Sequence, residues 1–436
     1  MPLTPDDRKF LKSIYLTLQD NPLASGDPLY QPVYSHPGCD DPVRELERTI
    51  DYAQTESLSL FSGFRGSGKT TELFRLKDRL EQSGYVVLYG DALEFINPAA
   101  PVDISLLLIA LAGAFGEAVE KLGIPLSSES YWTRFQHWLT TDVQIKEIGV
   151  KAGVDLKLEL RSSPSLRQKL AEALNAKIGE LGAEVRNFFA EGIEKIREFR
   201  SPDKRVVFLF DSLEQIRGSI SNERDVIHSV ELLFSNYLHL LKIPYLHVVC
   251  TVPPWLKFVL PGLDMVVLPC LRLWNNDPQR SSCDHGTEAL RALVEKRFTV
   301  NGLNKLFGED PWPRAMRLID LCGGHFRDLL LLLRQTILQA DSLPVADSAI
   351  DQAILHVRSN FLPIALDDAI WLAGIEKERA TVLKSRDAVD VNRLTLFLDT
   401  HLVLYIRNGE DWYDVHPLVR GEVAKIARAN AAMESK

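Results

Sequence analysis

Between residues 57 and 268 the chain alternates short, almost wholly apolar runs with longer amphipathic ones. The apolar runs are Ser57–Phe61, Tyr85–Tyr89, Val206–Asp211, Tyr245–Thr251 and Met265–Leu268. Their length and their aliphatic and aromatic content predict strands buried on both faces. Helical periodicity falls between them, at Thr71–Leu80, Asp103–Leu122 and Ile227–Leu241. Such βαβα alternation predicts a parallel sheet sandwiched between helices, an α/β fold.

Other patterns flank or interrupt that core. A helix at Asp7–Gln19 leads through Pro28, Pro32 and Pro37 to a second helix at Pro42–Ala53. Within an insertion at about 124–200, Val143–Ile148 and Val154–Leu160 alternate with period two and predict a hairpin around Gly149–Gly153. Ser165–Arg200 reads as one long helix with a break near Gly182. The insertion is either a partner surface or a solvated arm. Residues 285–345 are helical around a Gly323-Gly324 break. Helices at Leu366–Leu372 and Val391–Leu398 precede Val403–Ile406 and Trp412–Val415, which flank Asn408-Gly409, a strong hairpin signal. The expected division is an entry segment at 1–50, a core at 51–284, a helical lid at 285–348 and a winged-helix-like unit at 349–436.

Composition narrows the function. The chain has 436 residues, 46% of them hydrophobic, enough for two or three well-formed cores. A net charge of −9 argues against a generally basic surface that coats nucleic acid. Five cysteines with no C-x-x-C pair fit a reducing, cytoplasmic setting rather than a disulfide or zinc framework. The N-terminus has no signal-peptide character, and the longest apolar stretch, Ile104–Phe115, is too short to span a bilayer. No membrane association is expected.

The chemistry enters after the first strand. Gly63-Phe64-Arg65-Gly66-Ser67-Gly68-Lys69-Thr70 reads G-x-x-x-x-G-K-T, a phosphate-binding loop between a strand and a helix. Glycines let successive backbone N–H groups turn inward on the phosphates, and the helix N-terminus adds partial positive charge. Gly63, Arg65, Gly66, Ser67, Gly68, Lys69, Thr70 and Thr71 are the expected nucleotide contacts. Lys69 reaches the β- and γ-phosphates in such loops, and the Thr70 hydroxyl ligates Mg²⁺. Asp211, at the end of an apolar strand, is the candidate second Mg²⁺ carboxylate. Ser212 stands where many ATPases place a water-activating glutamate, so hydrolysis is expected to be slow. Glu214 is the substitute base; its alternative is a solvated residue at a helix start.

Five features in order resemble the AAA+/STAND superfamily. They are the phosphate loop, the Asp211 strand, the Thr251 strand, Gly323-Gly324-His325-Phe326-Arg327-Asp328-Leu329-Leu330, and Tyr413-Asp414-Val415-His416-Pro417-Leu418-Val419-Arg420. Within that superfamily the chain is similar to origin-recognition-type ATPases and to the nucleotide switches of NLR immune receptors, over about residues 30–425. The resemblance implies a P-loop core with a helical lid and a winged helix, and ATP or ADP as the ligand. It implies that Thr251 senses the γ-phosphate from its strand end and that Arg327 reaches the same phosphate from a lid helix. The bland alternatives are a strand-capping threonine and a surface arginine. His416 resembles the histidine of the Met-His-Asp motif that touches the ADP β-phosphate, although Val415 and Pro417 replace its neighbours; the alternative is a core-edge histidine.

The resemblance further implies an ATP-dependent switch, plausible in bacterial defence or signalling, that self-associates when ATP-bound. Such a switch acts with a separate effector or sensor protein. The rival is a DNA-associated AAA+ regulator of replication or transposition, and a third reading is a scaffold without turnover. Residues 360–436 carry 10 Lys/Arg against 12 Asp/Glu, and the candidate recognition helix Asp390–Thr400 has one arginine, Arg393. Duplex binding needs several cationic phosphate contacts, so a latch is favoured over a DNA reader. A basic face built from Arg186, Lys195, Arg197, Arg200, Lys204 and Arg205 would favour the rival. Arg297 is one candidate arginine finger among the surface arginines.

Overall fold

The structure is a computed structural model that describes residues 2–35, 40–124, 134, 137, 138, 141, 156–219, 221–380 and 388–434. The chain divides into two units. One comprises Val43–Gly63 and Arg75–Val267; the other comprises Met1–Pro42, Phe64–Phe74 and Leu268–Lys436.

The first unit holds the sheet. Its strands are β1 (Ser57–Gly63), β2 (Val86–Asp91), β3 (Val206–Asp211), β4 (Leu246–Val252) and β5 (Val266–Leu268), in the order β2-β3-β4-β1-β5. The β2–β3, β3–β4 and β4–β1 ladders are parallel. Every residue of β3 and β4 is buried, which explains why both strands read as unbroken apolar runs.

The helix Ile104–Lys121 packs against β2, β3 and the helix Ile178–Phe199. It is buried around most of its circumference and so lacks a polar face. The Phe115 ring lies 4.4 Å from Phe189 and 5.6 Å from Phe208, joining helix, insertion and sheet in one core. Each such ring contributes roughly 1.5–3 kcal/mol through burial.

The insertion differs from expectation. Residues 143–155 of the predicted hairpin lie outside the described residues. Leu156–Ser162, whose residues up to Leu160 were expected to be strand, is an α-helix. Leucine, lysine and glutamate are strong helix formers, and with no β-branched residue in Leu156–Leu160 the two-residue alternation was coincidental. The long helix breaks at Ala176-Lys177, between Pro164–Asn175 and Ile178–Phe199, and not at Gly182. Gly182 is buried inside the second helix.

The second unit is mainly helical. Asp284–Phe298, Val300–Phe307, Trp312–Leu321, Phe326–Leu338 and Asp347–Ser359 follow one another. The N-terminal helix Pro5–Thr17 packs on the first and fourth of these. Arg297 is buried, and its guanidinium donates to the Thr17 carbonyl. It therefore lacks the exposure that an arginine finger needs.

The chain then forms Leu366–Glu378, Ala388–Asp399, the hairpin β6 (Val403–Arg407) and β7 (Asp411–Val415), and Pro417–Glu434. Two helices followed by a hairpin is the order expected of a winged helix. Gly409, at φ +85°, supplies the left-handed residue of the three-residue hairpin loop. Buried Asp414 ties this hairpin to the segment before the helix Asp284–Phe298 and to the C-terminal helix. It accepts from Trp274 Nε1 at 3.1 Å, Arg280 Nη2 at 3.0 Å and Arg420 Nη2 at 2.9 Å.

Candidate phosphate-binding site

β1 runs directly into the loop Gly63–Thr70, and the helix Lys69–Gln82 begins at the loop's last residues. Gly66 and Gly68 adopt φ of +83° and +92°, a region that side chains disfavour. A Cβ on Gly66 would also stand 2.8 Å from Arg327 Cβ and Nε, so close approach as well as curvature demands glycine there.

The loop folds onto the Phe64 carbonyl. That oxygen accepts from Lys69 Nζ at 2.9 Å, Ser67 Oγ at 2.8 Å and the Ser67 N–H at 3.2 Å. Lys69 and Ser67 are buried, Gly66, Gly68, Thr70 and Thr71 are half-buried, and Arg65 is exposed. The Thr71 hydroxyl accepts from the Leu23 N–H at 3.2 Å.

Three further residues meet at the C-terminal edge of the parallel sheet. Phe210 pairs with Cys250 and Phe61 with Thr251, so Asp211 and Thr251 lie level with Phe61, two residues before the loop. Asp211 is fully buried and accepts from the Tyr89 hydroxyl at 3.1 Å. Burial, reinforced by Asp211, pushes the Tyr89 phenol well above its ordinary value. Tyr89 therefore remains a donor. Ser212 takes the left-handed φ of +74° and returns its N–H to Asp211 Oδ1 at 2.8 Å. The Thr251 hydroxyl accepts from the Leu213 N–H at 3.2 Å, which fixes the short turn Leu213–Gln215 that carries Glu214.

Arg327 opens the helix Phe326–Leu338 and lies against Gly66. Its Nε donates to Asp20 at 2.8 Å, so in this conformation the guanidinium is engaged by a carboxylate. His416 is fully buried. Its Nε2 lies 3.2 Å from Asp328 Oδ2, and its Nδ1 accepts from the Leu418 N–H at 3.3 Å. The histidine that reaches the loop is His325, which the sequence reading passed over: its Nε2 stands 3.0 Å from the Arg65 carbonyl. Its position directly after Gly323-Gly324 was the available signal.

His325 Nδ1 lies 2.7 Å from Asp328 Oδ2, and His401 Nδ1 lies 3.6 Å from the same oxygen. Ligating atoms of these three residues fall within 4.8 Å of one another. Two ligands on one tetrahedral zinc, each about 2.0–2.1 Å from the metal, sit roughly 3.3 Å apart. The 2.7 Å spacing is that of a hydrogen bond instead. Burial would raise the Asp328 carboxyl, but the His325 charge and bonds from His325, His401 and His416 outweigh it and hold the group well below the usual range. Burial, aided by neighbouring His325, lowers His401 to about 4. Burial also lowers His416, although Asp328 pulls the other way.

Four of the six cations whose common face would favour the rival are engaged locally. Arg205 donates to the Ile50 and Ala53 carbonyls, Lys204 to the Gly84 carbonyl and Arg197 to the Lys204 carbonyl, while Lys195 pairs with Glu198. Arg393 pairs with Asp368 at 2.7 Å. No helix among the described residues is long and apolar enough to cross a membrane.

No protein-family model matches the sequence, and no curated protein matches it. Solved structures do. A Walker-type ATPase of Pyrococcus abyssi is similar over 89% of this chain and 95% of its own, at 14% identity and a TM-score of 0.39. Cdc6p of Pyrobaculum aerophilum is similar over 93% and 97%, at 12% identity and a TM-score of 0.37. The ADP form of the ORC2 protein of Aeropyrum pernix is similar over 95% and 98%, at 13% identity and a TM-score of 0.42. At such identities and scores the likeness carries no residue-level correspondence.

Proposed function

We propose that this chain binds ATP and ADP and works as a slowly hydrolysing molecular switch of the AAA+/STAND kind. The observation that carries the reading is the loop Gly63–Thr70, seated between β1 and the helix Lys69–Gln82 with Lys69 folded onto the loop's own carbonyl. Lys69 Nζ and the loop N–H groups form the anion site. The Thr70 hydroxyl and the Asp211 carboxylate are hard oxygen donors of the kind Mg²⁺ takes. Mg²⁺ held by such donors would neutralise charge on the phosphates. Thr251 and Tyr89 orient the residues at the sheet edge, and Arg327 supplies a cation from the helical unit once it leaves Asp20.

A switch is favoured over a plain hydrolase by the link between loop and hairpin. Arg65 in the loop, His325 and Asp328 at the lid helix, and His416 after β7 form one hydrogen-bonded series. Moving the loop therefore moves partners in the C-terminal segment. An ADP-held resting state, released on exchange to permit self-association or capture of a separate effector or sensor protein, follows from that link. A bacterial defence or signalling system is the setting such a switch suits.

Glu214 is the proposed base. Glu214→Gln should lower ATP turnover at least about ten-fold while leaving ADP affinity within about two-fold, as expected for loss of a general base alone. Phosphate release assays check this, and unchanged turnover would remove Glu214 from the mechanism.

A further inference from the structure

We propose that His325 is a positioning residue of the phosphate loop that works through its charge. It donates one N–H to the Arg65 carbonyl and the other to Asp328. The inference rests on the nucleotide reading above.

Counting donors carries the argument. The Arg65 carbonyl can only accept, and it faces Nε2 at 3.0 Å. Asp328 has no proton to give, because it too is an acceptor. His416 uses its Nδ1 to accept from the Leu418 N–H, so its proton sits on Nε2 and points at Asp328. His401 presents Nδ1 to the same carboxylate oxygen. With acceptors on both sides, His325 satisfies both only when both ring nitrogens carry hydrogen. A neutral His325 would aim a lone pair at the carbonyl or at the carboxylate. Either arrangement leaves a buried polar contact broken and loosens Arg65 in the loop.

Other titratable groups face this cluster from several elements. Asp328 faces His325 from its own helix, His401 from the end of Ala388–Asp399, and His416 from the end of β7. The Cys270 and Cys322 thiols, pushed up by burial, stay neutral near Asp328. Asp320 lies beyond Cys322, and Arg420 acts on His416 from the C-terminal helix. Burial lowers both His401, to about 4, and His416, which favours their neutral forms.

The sign follows directly. The charged form makes both bonds and the neutral form only one, so the imidazolium holds the loop and loss of its proton loosens it. ADP affinity, measured by isothermal titration calorimetry in magnesium buffer from pH 6 to 8.5, should fall more in the wild type than in His325→Gln. The gap between the two proteins should be widest at the lowest pH, about ten-fold, and narrow as pH rises. The phosphate's own titration is common to both proteins and cancels. Parallel pH profiles would overturn the inference even if the variant bound weakly throughout, because a merely structural loss has no pH signature. Asp328→Asn keeps the side chain's shape but removes the charge that holds the imidazolium. It should show the same convergence and serves if His325→Gln does not fold. A wild type that binds no ADP at any pH would instead remove the nucleotide reading, and this inference with it.

Discussion

Lys69→Ala should bind ADP at least about 100-fold more weakly than the wild type. Its ammonium is the one buried cation inside the loop motif, and it rests on the Phe64 carbonyl at 2.9 Å. Exchanging that carbonyl for phosphate oxygens gives charge-assisted hydrogen bonds, each worth about 1.5–3 kcal/mol. Losing two of them accounts for about 3 kcal/mol, the equivalent of two decades in affinity. Calorimetric titration of both proteins at one pH checks the value. A loss under five-fold would mean that Lys69 does not face the ligand.

The second large effect concerns stability. Asp328→Ala strips the counter-charge from His325 and one acceptor from each of His401 and His416, all in a buried pocket. Removing one partner of a buried ion pair costs about 3–5 kcal/mol. In a unit of this size that corresponds to a fall in the melting temperature of roughly 6–20 °C. Arg393→Ala, which breaks the more exposed pair with Asp368, should cost no more than about 1 kcal/mol. Comparing the two by scanning calorimetry separates a buried hub from an ordinary surface pair; equal shifts would contradict the assignment.

Acid acts on the same pocket. The folded values of His401, held at about 4, and of His416 lie below the ordinary histidine value of 6.5. Between about pH 6.5 and pH 4 the unfolded chain therefore binds protons that the folded chain refuses. Stability is present above pH 6.5 and lost as pH falls through that window.

The sheet was legible because its strands are buried on both faces and read as apolar runs, and β3 was placed to the residue. The loop was legible because its chemistry demands fixed residues at fixed spacing. Leu156–Ser162 was not legible, since a two-residue alternation of leucine with lysine and glutamate fits an amphipathic strand while the residues themselves favour helix. Tyr89 was read only as strand, because nothing local says that its hydroxyl meets Asp211 across the sheet. His325, Asp328, His401 and His416 are separated by up to 91 positions (416 − 325), so only folding reveals that they share one carboxylate oxygen. Asp414 was likewise one acid among many until Trp274, Arg280 and Arg420 converged on it.

The measurement that tests the central claim most directly is the nucleotide that copurifies with the protein, released by denaturation and quantified by chromatography. The account predicts close to one equivalent of ADP in the wild type and little in Lys69→Ala. A wild-type protein that emerges empty and turns over ATP freely, faster with duplex DNA, would contradict it and point to the DNA-associated regulator.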